Sequence, residues 1–181
     1  MPRAPYFLLV FFFSLFACGS EEEAQKAPPI PTPYGNAQDV TNYLTAINPH
    51  VRGVSQIQQQ VDQNVGTTGQ ATGKNLAAAM QEVYPALEEH QNALSAIKAP
   101  AELGSLHADI LHLVKLRLEA YSTTIKGWQQ EEQNGDLSLY PQAQERLNEA
   151  NTLIVELNRQ MQTINTALLQ ATQTATQVAS P

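Results

Sequence analysis

The stretch YPQAQERLNEANTLIVELNRQMQTINTALLQATQTA, residues 140–175, decides the fold. Its apolar positions are Tyr140, Ala143, Leu147, Ala150, Ile154, Leu157, Met161, Ile164, Leu168, Ala171 and Ala175, and they recur at alternating steps of three and four without a miss. That is a 3.5-residue repeat, which predicts one long helix supercoiling left-handedly against its neighbours. At 1.5 Å per residue it would run ~50 Å. Pro141 suits the first turn, where its missing N–H costs nothing, and NGDLS before it (134–138) supplies a stop and a cap.

Working upstream, the same periodicity appears three more times. A third helix opens at APAELGSLH (99–107), with Pro100 in its first turn, and ends near Gln133; its stripe reads His107, Leu111, Val114, Leu118, Tyr121, Ile125 and Trp128. A second runs from about Gly73 to Lys98 through Leu76, Met80, Val83, Leu87, His90, Leu94 and Ile97. A first spans about Asp39 to Val65 through Val40, Leu44, Ile47, Val51, Val54, Val61 and Val65. Short connections make consecutive helices antiparallel. The expected fold is therefore all-α, an up-down-up-down antiparallel four-helix bundle with coiled-coil-like packing over residues 39–181. Two prolines interrupt the pattern. Asn48-Pro49 would either kink helix 1 or cap a fresh helix, whereas Tyr84 is a poor cap and Pro85 is expected to kink helix 2.

Ahead of the bundle the composition changes twice. Residues 19–38, GSEEEAQKAPPIPTPYGNAQ, hold three consecutive glutamates and four prolines with almost nothing to bury. Such a stretch stays extended and would act as a tether, reaching ~60 Å at about 3.1 Å per residue. Residues 1–17 carry Arg3, an apolar run from Tyr6 to Phe16 and a small residue, Ala17, which together define an export signal. The run is too short to span a bilayer, which takes roughly 20 apolar residues. All five phenylalanines of the chain lie inside it, which sets it apart from the domain behind.

Cys18, the only cysteine, follows directly. Leu15-Phe16-Ala17-Cys18 resembles the lipobox of bacterial lipoproteins. The resemblance covers about the first 20 residues and implies a diacylglyceryl group on the Cys18 thiol, cleavage before it, and acylation of the new amine. Two or three acyl chains on one residue hold to a membrane where one holds only marginally. Gly19, where an aspartate would favour inner-membrane retention, implies the outer membrane facing the periplasm. Nothing in the lipobox describes the domain.

Loss of the signal removes Arg3 and no acid, leaving nine basic against 17 acidic residues, a net charge of −8. An acidic domain without a Lys/Arg cluster is a poor partner for nucleic acid. Past Cys18 no thiol remains for disulfides or thiolate metal sites. TTGQATGKN (67–75) departs from a phosphate-binding loop at Thr68 and Asn75 and follows no strand, so it reads as the helix 1–2 connection with Thr72 as cap. No nucleophile stands in a recognisable setting with a base, and no enzyme is expected.

Two features remain as candidate binding chemistry. His90 and His107 fall on core stripes of helices 2 and 3, offset by about 4.5 Å along the axis. They would suit a metal, with Glu89 or Tyr121 as a third ligand, or a non-covalent haem with Met80 or Met161; the duller expectation is two hydrogen-bonded core imidazoles and no cofactor. His112 lies on another face. Helix 3 also carries Leu103, Leu106, Ile110, Leu113 and Leu116 beyond its stripe, more than one buried face needs. Leu106, Leu113 and Leu116 are therefore candidates for an exposed surface that meets a protein partner or a second copy. The expected function is a lipid-anchored, non-catalytic interaction or envelope-structural module; the alternative is a small-ligand, metal or haem-binding bundle.

Overall fold

The four amphipathic stretches become four helices in the computed structural model, which describes residues 29–67 and 72–178. They are α1 (Ala37–Thr67), α2 (Gly73–Ala96), α3 (Gly104–Asn134) and α4 (Leu139–Val178), with a 3₁₀ turn at Ala101–Leu103 ahead of α3. Each helix packs on the next in sequence, which gives the up-down-up-down order. Both prolines sit inside unbroken helices, Pro49 in α1 and Pro85 in α2, so no fresh helix starts at Pro49. Each ring leaves one carbonyl, of Thr45 or Gln81, without its N–H donor. All four residues lie on exposed faces, where water meets a free carbonyl at little cost.

The helix ends follow the local chemistry of their residues. Thr72 is extended (φ −88°, ψ 156°) and its hydroxyl accepts the Asn75 N–H at 3.2 Å, capping α2 as its sequence predicts. Gly135 closes α3 in the left-handed conformation, at φ +76°. Asp136 then accepts the Ser138 N–H at 2.9 Å and turns the chain into α4.

α3 is the hub, flanked by both α2 and α4. A helix with two large neighbours must bury a wide arc, and this overturns the expectation for Leu106, Leu113 and Leu116. They are 3%, 8% and 3% exposed and belong to the core, so they form no protruding patch. The buried face of α3 combines a row of Leu106, Ile110, Leu113, Arg117 and Thr124 with Val114, Leu118 and Tyr121 of the stripe read off the sequence.

Part of the segment whose composition predicts a tether is folded. Pro31–Thr32 (β1) pairs antiparallel with Gly35–Asn36 (β2) in a small hairpin. Pro33 sets the turn, and Gly35 takes φ +98°, which a side chain would resist. The Thr32 hydroxyl donates to the Gly35 carbonyl at 2.8 Å, and the Ala37 N–H joins hairpin to helix through the Ile30 carbonyl at 2.8 Å. Tyr34 packs against the core. Among the described residues the fold thus includes residues 31–38, ahead of the expected start at 39, because one aromatic ring gives the proline-rich segment something to bury.

α4 keeps its heptad but uses it unequally. Ala143, Ala150, Leu157 and Ile164 are buried, whereas Leu147, Ile154, Met161 and Leu168 are only partly covered. The alanines let the first half of α4 lie close to α3, which is its main neighbour, while α4 scarcely touches α1. Three seams of the bundle are zipped and the fourth, between α1 and α4, stands partly open.

Candidate functional site

Residues 1–28 lie outside the described residues, so the lipobox at Leu15–Cys18 has no structural description here. His90 and His107 do not converge. His90 Nδ1 lies 3.3 Å from His50 Nδ1, with the rings edge to face and 5.5 Å between centroids. His107 Nδ1 lies 3.1 Å from the Tyr43 hydroxyl. Tyr43 and His50 are seven residues apart on α1, about 10 Å along the axis. The two histidines thus meet α1 at levels about 10 Å apart, wider than the offset of about 4.5 Å expected between them, and each ring turns to α1 instead of to the other.

The His50–His90 pair is closely fitted. Gly53 lies beneath it, and a Cβ built there would fall 2.0 Å from His90 Nε2. A glycine in mid-helix is thus the seat for an imidazole. Burial holds the His90 pKa below its ordinary value, the neighbouring His50 charge lowers it further, and Glu89 pulls the other way. The proposed third ligands have other roles: the Tyr121 hydroxyl donates to Gln58 Oε1 at 3.0 Å, and Glu89 is exposed. Met80 is buried in the core. Among the described residues, no three His, Cys, Asp or Glu side chains gather as a metal site would require.

The open α1–α4 seam holds a more distinctive arrangement. There a slot of about 60 Å³ is walled by Val51 and Val54 of α1, Leu94 of α2, Leu113 of α3, and Ile154, Leu157 and Met161 of α4. Its polar lining residues are Asn48, Ser55, Asn158 and Arg117. Arg117 is only 4% exposed and follows the apolar Leu106, Ile110 and Leu113 along the same face of α3. Its Nη1 donates to the Val54 carbonyl at 3.0 Å. One turn further along both helices, Tyr121 donates to Gln58, whose amide donates to Asp62 Oδ1 at 3.0 Å. The two links clamp α3 to α1 across the bundle.

This site is electrically unbalanced. Among the described residues no carboxylate comes within ion-pair distance of Arg117; Asp62 acts on it only from further off. Burial pushes Arg117 below its ordinary pKa and Asp62 above its own, so each charge is held in an environment that disfavours it. A buried ion without a contact partner costs several kcal/mol even after relaxation. Burial also pushes the Tyr121 phenol up to about 12, so it stays a neutral donor.

Arg117 and His50 are the residues that sequence reasoning missed. A signal existed for each. Arg117 continues the three-and-four spacing of Leu103, Leu106, Ile110 and Leu113, and Gly53 marks a place where a helix surrenders its own side chain to a neighbour's. Comparison of the chain with protein-family models, with curated proteins and with solved structures finds no match.

Proposed function

We propose that this chain is an exported lipoprotein, held on a bacterial membrane by lipid on Cys18 and facing the periplasm, whose helical domain is a non-catalytic binding module. The lipobox-like Leu15-Phe16-Ala17-Cys18 supports the anchor, and Gly19 favours the outer membrane. The observation that carries the binding reading is the unzipped α1–α4 seam. α4 spends half of its heptad on α3 and leaves Leu147, Ile154, Met161 and Leu168 partly uncovered beside a slot with a buried cation. A purely structural bundle would gain stability by closing that seam.

The reading replaces both surfaces expected from the sequence. Leu106, Leu113 and Leu116 are core, and His90 and His107 serve separate hydrogen bonds. The test has two arms. Cys18→Ser should move the protein from the membrane to the soluble fraction or leave it unprocessed, and wild-type protein should carry the mass of a diacylglyceryl group. The wild-type lipoprotein, extracted from membranes and denatured, should release a small molecule at near-stoichiometric yield by mass spectrometry. Unchanged fractionation of Cys18→Ser refutes the anchor; an empty extract counts against the binding module.

A further inference from the structure

We infer that the α1–α4 slot binds an amphipathic carboxylate, with the Arg117 guanidinium holding the carboxylate and the apolar row of α4 holding the chain. This rests on the binding-module reading above and names its ligand class.

The head-group assignment follows from the charge. A guanidinium presents five N–H donors in a flat fork that matches a carboxylate. Here one bond, to the Val54 carbonyl, is its hydrogen bond among the described residues, and the side chain lines the slot. The nearest acid, Asp62, is engaged by Gln58 and stands off from it. A monoanion entering the slot would meet a cation already stripped of water, so the attraction would be little screened.

The tail assignment follows from the walls. One water needs about 10–15 Å³ of such space, so a slot of about 60 Å³ takes a carboxylate and a few methylenes. Anything longer must leave between α1 and α4. Along that exit Ile154 and Met161 line the slot, and Leu147 and Leu168 continue the same seven-residue row beyond it. From Leu147 to Leu168 the row extends about 30 Å. Asn48, Ser55 and Asn158 give the slot neutral polar groups and no second cation, which suits one negative charge and not two.

The test uses the chain from residue 18 onward with Cys18→Ser, which contains every described element and needs no detergent. Decanoate is titrated into it by calorimetry, beside decanol and decyltrimethylammonium as tails without an anion, and decyl sulfate as a different anion. Decanoate should bind one to one and at least tenfold more tightly than decanol or the cation. Arg117→Gln should abolish that preference, and Met161→Trp, which fills the slot from a partly exposed position, should weaken decanoate at least tenfold. If Arg117→Gln fails to fold, the ligand series and Met161→Trp decide the matter. Absence of decanoate binding, equal binding of decanol, or wild-type affinity in Met161→Trp would overturn the inference. Decyl sulfate binding tenfold more tightly than decanoate would reject a carboxylate head. None of these results bears on the membrane fractionation of Cys18→Ser, so the anchor and the ligand fail separately.

Discussion

Replacing Gly53 by alanine should destabilise this protein, although alanine is the better helix former. In an open helix interior the exchange gains about 1 kcal/mol. Here the new Cβ would stand 2.0 Å from Nε2, 2.4 Å from Cε1 and 2.9 Å from Cδ2 of His90. No such contact survives, so the imidazole must swing off α1. That forfeits its hydrogen bond to His50, worth about 1 kcal/mol, and adds about 1 kcal/mol for a displaced rotamer. The balance is a loss of about 1 kcal/mol, or a fall in Tm of roughly 2–4 °C for a domain of this size. In a His90→Ala background nothing opposes the Cβ, and the same exchange should raise Tm by a similar amount. The sign therefore inverts, with a coupling of about 2 kcal/mol between two residues on different helices. Thermal and urea melts of the four proteins at pH 8, well above the lowered His90 pKa, measure it. If Gly53→Ala raises stability equally in both backgrounds, the packing of His90 on α1 is wrong.

Two other outcomes follow from the same structure. Because the folded state lowers the His90 pKa, its neutral form is the one favoured; that contribution is complete above the ordinary histidine value of about 6.5 and drains away as pH falls from there towards the lowered value. Tm should drop between pH 7 and 5 in wild type and drop less in His90→Gln; parallel curves would show that the pair does not sense protons. Leu116→Gln, in the core at 3% exposure, should cost about 3 kcal/mol or more and lower Tm by roughly 10 °C. A melt unchanged by that substitution would return the residue to the surface.

The helices were readable because their repeat is a consequence of geometry that no neighbour can alter: the α4 heptad and the Thr72 cap are local. What a helix packs against is not local. Leu106, Leu113 and Leu116 looked surplus because a stripe of three positions in seven assumes one flank, whereas α3 sits between α2 and α4. The histidines failed for a related reason. Periodicity fixes a residue's height and rough direction, and the partner depends on which neighbouring helix offers a hydroxyl or a bare glycine, here Tyr43 and Gly53 of α1. The hairpin was hidden by proline content, since its stability rests on one ring, Tyr34, reaching the core.

The uneven use of the α4 heptad also has a mechanical meaning. A 40-residue rod fastened along one long edge resists sliding but yields to rotation about that edge, as a door does on its hinge. Ala143 and Ala150 are the small knuckles of that edge, and Leu157 and Ile164 its larger ones. A small rotation about α3 changes the width of the α1–α4 gap at every level at once, while the α3–α4 contacts stay nearly fixed. Width there is a single coordinate, set by whatever lies between Val51 and Ile154.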